Sequence, residues 1–278
     1  MKITNVTGIP LRCSCEAISD ALSTSFARQA LLVKIETDTE LYGIGEAFTY
    51  GAPLEAMQVL VEKELGAMLI GRDPSTIEEI WKTMYWRSIA HGRRGLIMGC
   101  ISGIDIALWD LFGKMVHQPV AKLLGQHFDR IPSYASGGFY KAGKGIDGLR
   151  AELEGYMKKG YRDAKIKIGR NIDRVGQPLK YMAFQDNAVT IEEDYQRIVA
   201  AKEIVGGGRL LVDTNASWDS FTAIERGKEL VKLSVCWLEE PISFEDIEGY
   251  QRLKQAVPEL SLIGCETQQG LRNFESMV

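Results

Sequence analysis

Two lysines and several carboxylates stand where apolar segments end in the second half of this 278-residue chain. Lys165 and Lys167 are two positions apart in the segment AKIKI. In a β-strand both amines would therefore point to one face, and the isoleucines would point to the other. Asp213 and Asn215 are also two positions apart, so in a strand their side chains would point to one face. Further apolar segments end in Asp213, in Glu239 with Glu240, and in Glu266.

These residue types together suit one kind of reaction. Three carboxylates suit Mg²⁺, which keeps its other coordination positions for water and substrate. Lysine is a poor base at its usual pKa of roughly 10.4, but a second ammonium group and a nearby divalent cation both disfavour its charged form. A neutral lysine can remove the proton α to a metal-bound carboxylate, and the metal stabilises the enediolate that develops. The set therefore predicts metal-assisted proton abstraction.

From about residue 131, predicted strands and helices alternate strictly. Repeated βα units predict a parallel sheet with helices outside it, and the carboxyl ends of parallel strands meet at one edge. The charged strand ends are therefore expected to meet there. Segment 170–190 fits neither pattern and is predicted to be a loop insertion. The predicted strands are 131–136, 164–168, 210–214, 235–239 and 261–265, separated by helices 145–159, 191–205, 221–233 and 244–256.

The first part of the chain has a different pattern, β and then α. Strands are predicted at 2–11, 30–36 and 41–47, and the last two form a hairpin. Apolar residues at helical spacing predict helices at 53–70 and 97–116. This pattern indicates an α+β region that precedes the alternating units.

Each chemical signal also has a plainer interpretation. A lone KxK pair is usually a solvated strand edge, Asp213 can cap the next helix, and Glu239 or Glu240 can be a surface charge beside a proline turn. These interpretations must explain separately why successive buried strands all end in charge. Five βα units suit an open doubly wound sheet or part of a (β/α)₈ barrel. No GxGxxG motif follows a strand, so the sequence does not favour a dinucleotide fold.

Several motifs resemble those of the mandelate racemase and muconate lactonizing enzyme family of the enolase superfamily. The strand ends KIK, VDTN, WLEEP and GCET resemble its successive strand-end motifs. The segments SGIDIALWD and PVAKLLG resemble its helix leading into the barrel, and GIGEA resembles its capping-domain hairpin. The resemblance implies an N-terminal α+β capping domain, residues 1–125. A partial (β/α)₈ TIM-type barrel, residues 126–278 with the first five βα units, would follow.

The same resemblance implies a ligand set and a base. Strand alternation leaves Glu239 and Glu240 equally open as a metal ligand, and the family pattern favours Glu239. Lys167 would be the base, and Lys165 would tune it. The implied Mg²⁺ ligands are Asp213, Glu239 and Glu266.

Two further residues are candidate substrate contacts. Asn215 follows the first implied metal ligand. Tyr50 lies in segment 48–53, which together with segment 14–25 resembles the family's segments that close over substrate. Ordinary packing explains Tyr50 equally well.

By resemblance the function is that of an acid-sugar dehydratase, a hydro-lyase. Such an enzyme removes the proton α to the carboxylate of a small sugar acid or hydroxy acid and expels the β-hydroxyl. A glutamate at the third implied ligand position, Glu266, favours the acid-sugar dehydratase and mandelate racemase branches of the family. A racemase or epimerase with the same enolate chemistry is one alternative. A non-catalytic remnant, or a subunit completed by another chain, is the other.

The resemblance further implies a chain truncated at its C-terminus. A complete barrel takes about 250 residues, and only five strands are predicted after residue 131. The histidines of this chain, His91, His117 and His127, precede the barrel strands. The general acid would then lie beyond residue 278, and we expect no dehydratase or racemase turnover from these 278 residues alone.

Composition limits the partners. The net charge of -4 and the lack of a dense Lys/Arg tract give no electrostatic case for nucleic acid or a membrane surface. Five scattered cysteines predict reduced thiols and a cytoplasmic location. An intact relative is expected to form a homo-oligomer.

Overall fold

The structure, a computed structural model, describes residues 1–171, 187–275 and 277. The chain divides into two compact units. The first comprises residues 1–15, 27–130 and 269–272, and the second comprises residues 16–26, 131–268 and 273–278. The predicted loop insertion at 170–190 lies largely outside the described residues.

The first unit contains a three-stranded sheet in the order β1-β2-β3. β2 and β3 pair antiparallel, with Val33 opposite Gly45, and this confirms the predicted hairpin. Along β2 the residues Leu31, Val33 and Ile35 are fully buried, which is the alternation of a strand with one face on a core. The strands are β1 (Ile3–Ser19), β2 (Thr24–Thr37) and β3 (Tyr42–Ala47).

Helices cover the buried face of this sheet. The helix predicted at 53–70 is α1 (Leu54–Val59), which continues as a π-helical turn over Leu60–Leu65 and a 3₁₀ turn over Gly66–Met68. The long helix predicted at 97–116 is confirmed as α3. The remaining helices of this part are α2 (Ile77–Ser88), α3 (Leu96–Val116) and α4 (Val120–Leu123).

α3 lies unusually close to β3. A Cβ atom on Gly45 would stand 2.1 Å from the carbonyl oxygen of Gly103, and one on Gly43 would stand 2.0 Å from that of Ala107. The Asp110 carboxylate also accepts a hydrogen bond from the Ile44 backbone N–H at 2.8 Å. By length and composition α3 is apolar enough to cross a membrane. In this structure it is a core helix that packs on β3.

Gly45→Ala is therefore expected to destabilise the protein strongly. The added methyl group meets backbone, which cannot rotate away, so we expect the free energy of unfolding to fall by about 3 kcal/mol. Gly155→Ala is the matched control, because a Cβ there meets nothing within 4 Å. That glycine lies inside a helix, so the control should be neutral or stabilising by up to about 1 kcal/mol. Urea unfolding of both variants measures the difference, and equal stabilities would contradict the close-packing argument.

The second unit contains five parallel strands in the sequential order β4-β5-β6-β7-β8. The predicted parallel sheet is confirmed. The first strand is shorter than predicted and displaced toward the C-terminus, because residues 131–134 take no strand pairing. The strands are β4 (Ala135–Gly137), β5 (Ala164–Lys167), β6 (Leu210–Asp213), β7 (Trp237–Glu239) and β8 (Ser261–Ile263).

Helices separate these strands and pack on one face of the sheet. Ile166, Val212 and Leu238 are fully buried on that face, against helix residues such as Leu149 and Leu253. Several of these helices have a side-chain cap at the N-terminus. Thr190 and Glu193 form a capping box, and Asp219 and Asp246 each accept a hydrogen bond from a backbone N–H. The helices between the strands are α5 (Ile146–Lys158), α6 (Ile191–Val205), α7 (Ser220–Lys232) and α8 (Ile247–Ala256), and α9 (Leu271–Glu275) follows β8.

Candidate active site

The two lysines of β5 lie on the sheet face opposite the helices. Their neighbours Ile166 and Ile168 belong to the helix-covered core, as the alternation predicts. Lys165 and Lys167 are 8% and 7% exposed, so both amines are largely withdrawn from water. A buried ammonium group needs a partner, and the next strands supply it.

Asp213 and Glu239 end β6 and β7 and lie directly opposite one another in the sheet. Lys167 Nζ pairs with Asp213 Oδ2 at 2.5 Å. Lys165 Nζ donates to both carboxylate oxygens of Glu239 at 2.7 Å and lies 3.4 Å from Asp213 Oδ2. The Lys165 ammonium group thus bridges the two carboxylates. The structure brings four of the predicted site residues into one buried cluster.

Burial and charge shift the pKa values within this cluster. Burial lowers the pKa of Lys165, but its hydrogen bond to Glu239 and the charge of Asp213 outweigh burial, so the pKa is raised overall. Two carboxylates face the Lys165 amine more closely than any cation does. Burial and the charge of Asp213 raise the pKa of Glu239, against the opposing effect of Lys165.

Glu240 and Glu266 form a second part of the site. Glu240 is buried and accepts the backbone N–H of Glu266 at 2.9 Å. Burial and the charge of Glu266 raise the pKa of Glu240. Glu266 itself is exposed, and its Oε1 accepts a hydrogen bond from Asn215 Nδ2 at 3.3 Å. Asn215 therefore links the third implied ligand to the strand end that carries Asp213, whose Oδ1 accepts the Asn215 backbone N–H.

The donor set fits a hard cation. Its oxygens come from carboxylates on adjacent strands, and the buried Asn215 Oδ1 has no hydrogen-bond partner among the described residues. An oxygen acceptor left without a donor next to carboxylates is chemically suited to Mg²⁺. Among the residues described, however, no three His, Cys, Asp or Glu side chains are gathered closely enough to hold a metal ion. The Mg²⁺ site at Asp213, Glu239 and Glu266 remains a prediction, and it requires the Lys165 ammonium group to withdraw from between the carboxylates.

The sequence did not predict the aromatic neighbours of the lysines. Lys165 Nζ lies 5.7 Å from the centroid of the Tyr134 ring, and Lys167 Nζ lies 5.6 Å from that of Phe139. Such rings stabilise an ammonium group through their negative faces. Tyr134 directly precedes β4, and Phe139 lies two residues after its end. Aromatic residues near both ends of the strand beside the lysine strand were the available signal.

Tyr50 belongs to the first unit. Its ring stacks on Phe48 with centroids 5.9 Å apart, and it is half exposed. Its backbone has a positive φ of 30°. A substrate contact at Tyr50 remains a prediction, as does the one at Asn215.

Comparison with known proteins finds dehydratases among the proteins that are similar to this chain. The arabinonate dehydratase of Saccharolobus solfataricus is 35% identical over 240 residues, which are 86% of this chain and 59% of the relative. This chain thus spans less than two thirds of that enzyme's length. The crystal structure of L-talarate/galactarate dehydratase from Salmonella typhimurium LT2 with Mg and L-lyxarohydroxamate aligns with a TM-score of 0.86 at 27% identity. That alignment covers 99% of this chain and 67% of the dehydratase.

A third similar structure is a racemase from Streptomyces coelicolor A3(2) with bound magnesium, with a TM-score of 0.87 and 28% identity over 99% of this chain and 72% of the racemase. Two family descriptions match along the sequence. Residues 6–125 match the mandelate racemase / muconate lactonizing enzyme N-terminal domain, and residues 148–278 match the enolase C-terminal domain-like family. The fold is accordingly a capping domain followed by part of a (β/α)₈ barrel. The chain belongs to the mandelate racemase / muconate lactonizing enzyme family of the enolase superfamily.

Proposed function

We propose that this chain carries the metal-binding and proton-abstracting part of a Mg²⁺-dependent acid-sugar dehydratase. The observation that carries the proposal is the buried cluster in which Lys165 and Lys167 face Asp213 and Glu239 across three neighbouring strands. The similarity to the arabinonate dehydratase and to the talarate/galactarate dehydratase supports a sugar acid as substrate.

Each residue of the cluster has a part in this proposal. Asp213, Glu239 and Glu266 would hold Mg²⁺, which supplies charge stabilisation for the substrate carboxylate. Lys167 removes the α-proton, and its place against the Phe139 ring shields the amine from water. Lys165 sets the charge around Lys167 and orients Glu239. Asn215 offers an amide group to substrate or metal at the same strand end.

A racemase or epimerase is the second candidate. The Mg-bound racemase from Streptomyces coelicolor resembles this chain as closely in fold as the dehydratase does. Both reactions begin with the same proton removal. They differ in whether the β-hydroxyl leaves or a proton returns on the other face, so the product distinguishes them.

The test uses the purified chain and a panel of sugar acids in D₂O with Mg²⁺. Exchange of the α-proton needs only a base and a charge-stabilised carboxylate, so we expect Mg²⁺-dependent exchange, detected by NMR, with at least one sugar acid. Glu239→Gln should abolish this exchange and the calorimetric heat of Mg²⁺ binding. Glu229→Gln is the matched control, because Glu229 lies in a partly exposed i,i+3 ion pair on α7, outside the cluster. Mg²⁺ binding without exchange of any acid in the panel would contradict the proposal.

A further inference from the structure

A second buried ion pair lies beside the lysine strand, on the first half of α6. Asp194 and Arg197 are 6% and 4% exposed, and Arg197 Nε lies 3.4 Å from Asp194 Oδ1. Neither side chain belongs to the lysine–carboxylate cluster. Burial raises the pKa of Asp194, although the charge of Arg197 and several hydrogen bonds oppose that rise. Removing both charges from water costs free energy that their attraction can fail to return. The burial of this ion pair is therefore weak evidence that it stabilises the fold.

Asp194 holds the chain that follows β5. Its Oδ2 accepts the Gly169 backbone N–H at 2.8 Å and the Asn171 Nδ2 amide at 2.8 Å. Its Oδ1 accepts the Tyr140 hydroxyl at 2.7 Å. Gly169 has a φ of +94°, where a Cβ would also meet Ser217 Oγ at 2.4 Å. The carboxylate thus fixes a backbone turn two residues beyond Lys167.

Arg197 donates hydrogen bonds to two backbone carbonyl oxygens, which lie at the ends of β4 and β5. Its Nη2 donates to the Gly138 oxygen at 2.6 Å and to the Lys167 oxygen at 3.1 Å. Its guanidinium group also stacks 4.3 Å from the centroid of the Tyr140 ring. One planar group therefore ties the end of β4, the end of β5 and α6 together. Among these contacts, the one to the Lys167 oxygen touches the proposed base directly at its backbone.

We propose that Asp194 and Arg197 are positioning residues that fix the backbone of Lys167 and thereby aim its amine. The inference rests on the proposed function, because it takes Lys167 as the base. The pair acts on the main chain at residues 167 and 169, on both sides of Ile168. The geometry of proton removal then depends on a charged pair that touches neither substrate nor metal.

Two variants test the role. Arg197→Met removes both carbonyl anchors. Arg197→Met combined with Asp194→Asn removes them without leaving an unpaired charge, and the asparagine keeps an oxygen for the Gly169 N–H. Arg209→Met is the matched control, because Arg209 pairs with Asp163 at 2.6 Å at the opposite end of β5. Thermal unfolding establishes that each variant is folded under the conditions used.

The readouts are hydrogen exchange of the peptide 164–171, followed by mass spectrometry, and the kinetics of α-proton exchange. We expect amide exchange at least 10-fold faster in that peptide alone. We also expect kcat for α-proton exchange to fall about 100-fold with KM little changed, since misplacing a reacting group by about 1 Å has an effect of that size. The control should change neither quantity.

Three results would overturn the inference. They are unchanged amide exchange at 164–171 in the folded double variant, faster exchange spread over the whole chain, and an unchanged kcat. If the wild-type chain exchanges no α-proton, the proposed function fails by itself. The amide exchange of peptide 164–171 then decides alone whether the pair fixes the strand end.

Discussion

Lys167→Ala is expected to lower the rate of α-proton exchange by about 10³-fold, because the variant loses the group that accepts the proton. In the unsubstituted protein, Asp213 holds the Lys167 amine at the end of β5, where it lies against the Phe139 ring. Among the described residues, no other lysine amine occupies that position. NMR in D₂O with a sugar acid and Mg²⁺ measures the rate. Lys165→Ala should retain some exchange and shift its pH dependence, since Lys165 acts through charge.

The control for this prediction separates lost chemistry from lost folding. Lys167→Met keeps an unbranched side chain of similar reach and should be as inactive as the alanine variant. Lys228→Ala removes a half-exposed lysine from an ion pair on α7 and should leave the rate unchanged. Wild-type exchange in a folded Lys167→Met protein would remove Lys167 from the mechanism.

Asp213→Ala is expected to destabilise the chain by about 3–5 kcal/mol, the usual effect of breaking a buried ion pair from one side. Asp213 is fully buried and lies 2.5 Å from Lys167 Nζ and 3.4 Å from Lys165 Nζ. Its removal leaves Lys167 without a carboxylate partner in a largely dry site. Urea unfolding without Mg²⁺ measures the loss, so that metal binding does not contribute to the difference.

An exposed ion pair provides the comparison. Glu225→Ala breaks a pair with Lys228 in which both side chains are about half exposed, and it should change stability by less than about 1 kcal/mol. Adding Lys167→Met to Asp213→Ala should recover part of the loss, because the unpaired ammonium group is then gone. A loss equal to that of Glu225→Ala would show that water reaches the lysines once the aspartate is absent.

The cluster also has a consequence for metal binding. Two ammonium groups neutralise Asp213 and Glu239 in this structure. A divalent cation at the same carboxylates would compete with Lys165 for both of them, and its charge would disfavour the ammonium form of a nearby lysine. We therefore expect Mg²⁺ binding to be coupled to deprotonation of a lysine. The neutral form is the one that a lysine base requires.

The sequence by itself determined that the two lysines share one face of the sheet. A strand turns successive side chains to opposite faces, so the spacing of Lys165 and Lys167 placed both amines on one face and Ile166 on the core. The alternation of strands and helices predicted a parallel sheet with its charged strand ends at one edge. The structure then showed that Asp213 and Glu239 end neighbouring strands. These are local patterns with a fixed period, and a single sequence is enough to follow them.

Only the tertiary structure decided which charged groups meet. Glu239 and Glu240 are adjacent in sequence, yet Glu239 faces Lys165 while Glu240 accepts the backbone N–H of Glu266. Asp194 lies in an ordinary helical stretch of sequence, and its contacts with Tyr140 and Gly169 join segments 25 to 54 residues apart. Such pairings depend on how the sheet and its helices pack in three dimensions. No periodic pattern along the chain records them, because the partners share no local segment.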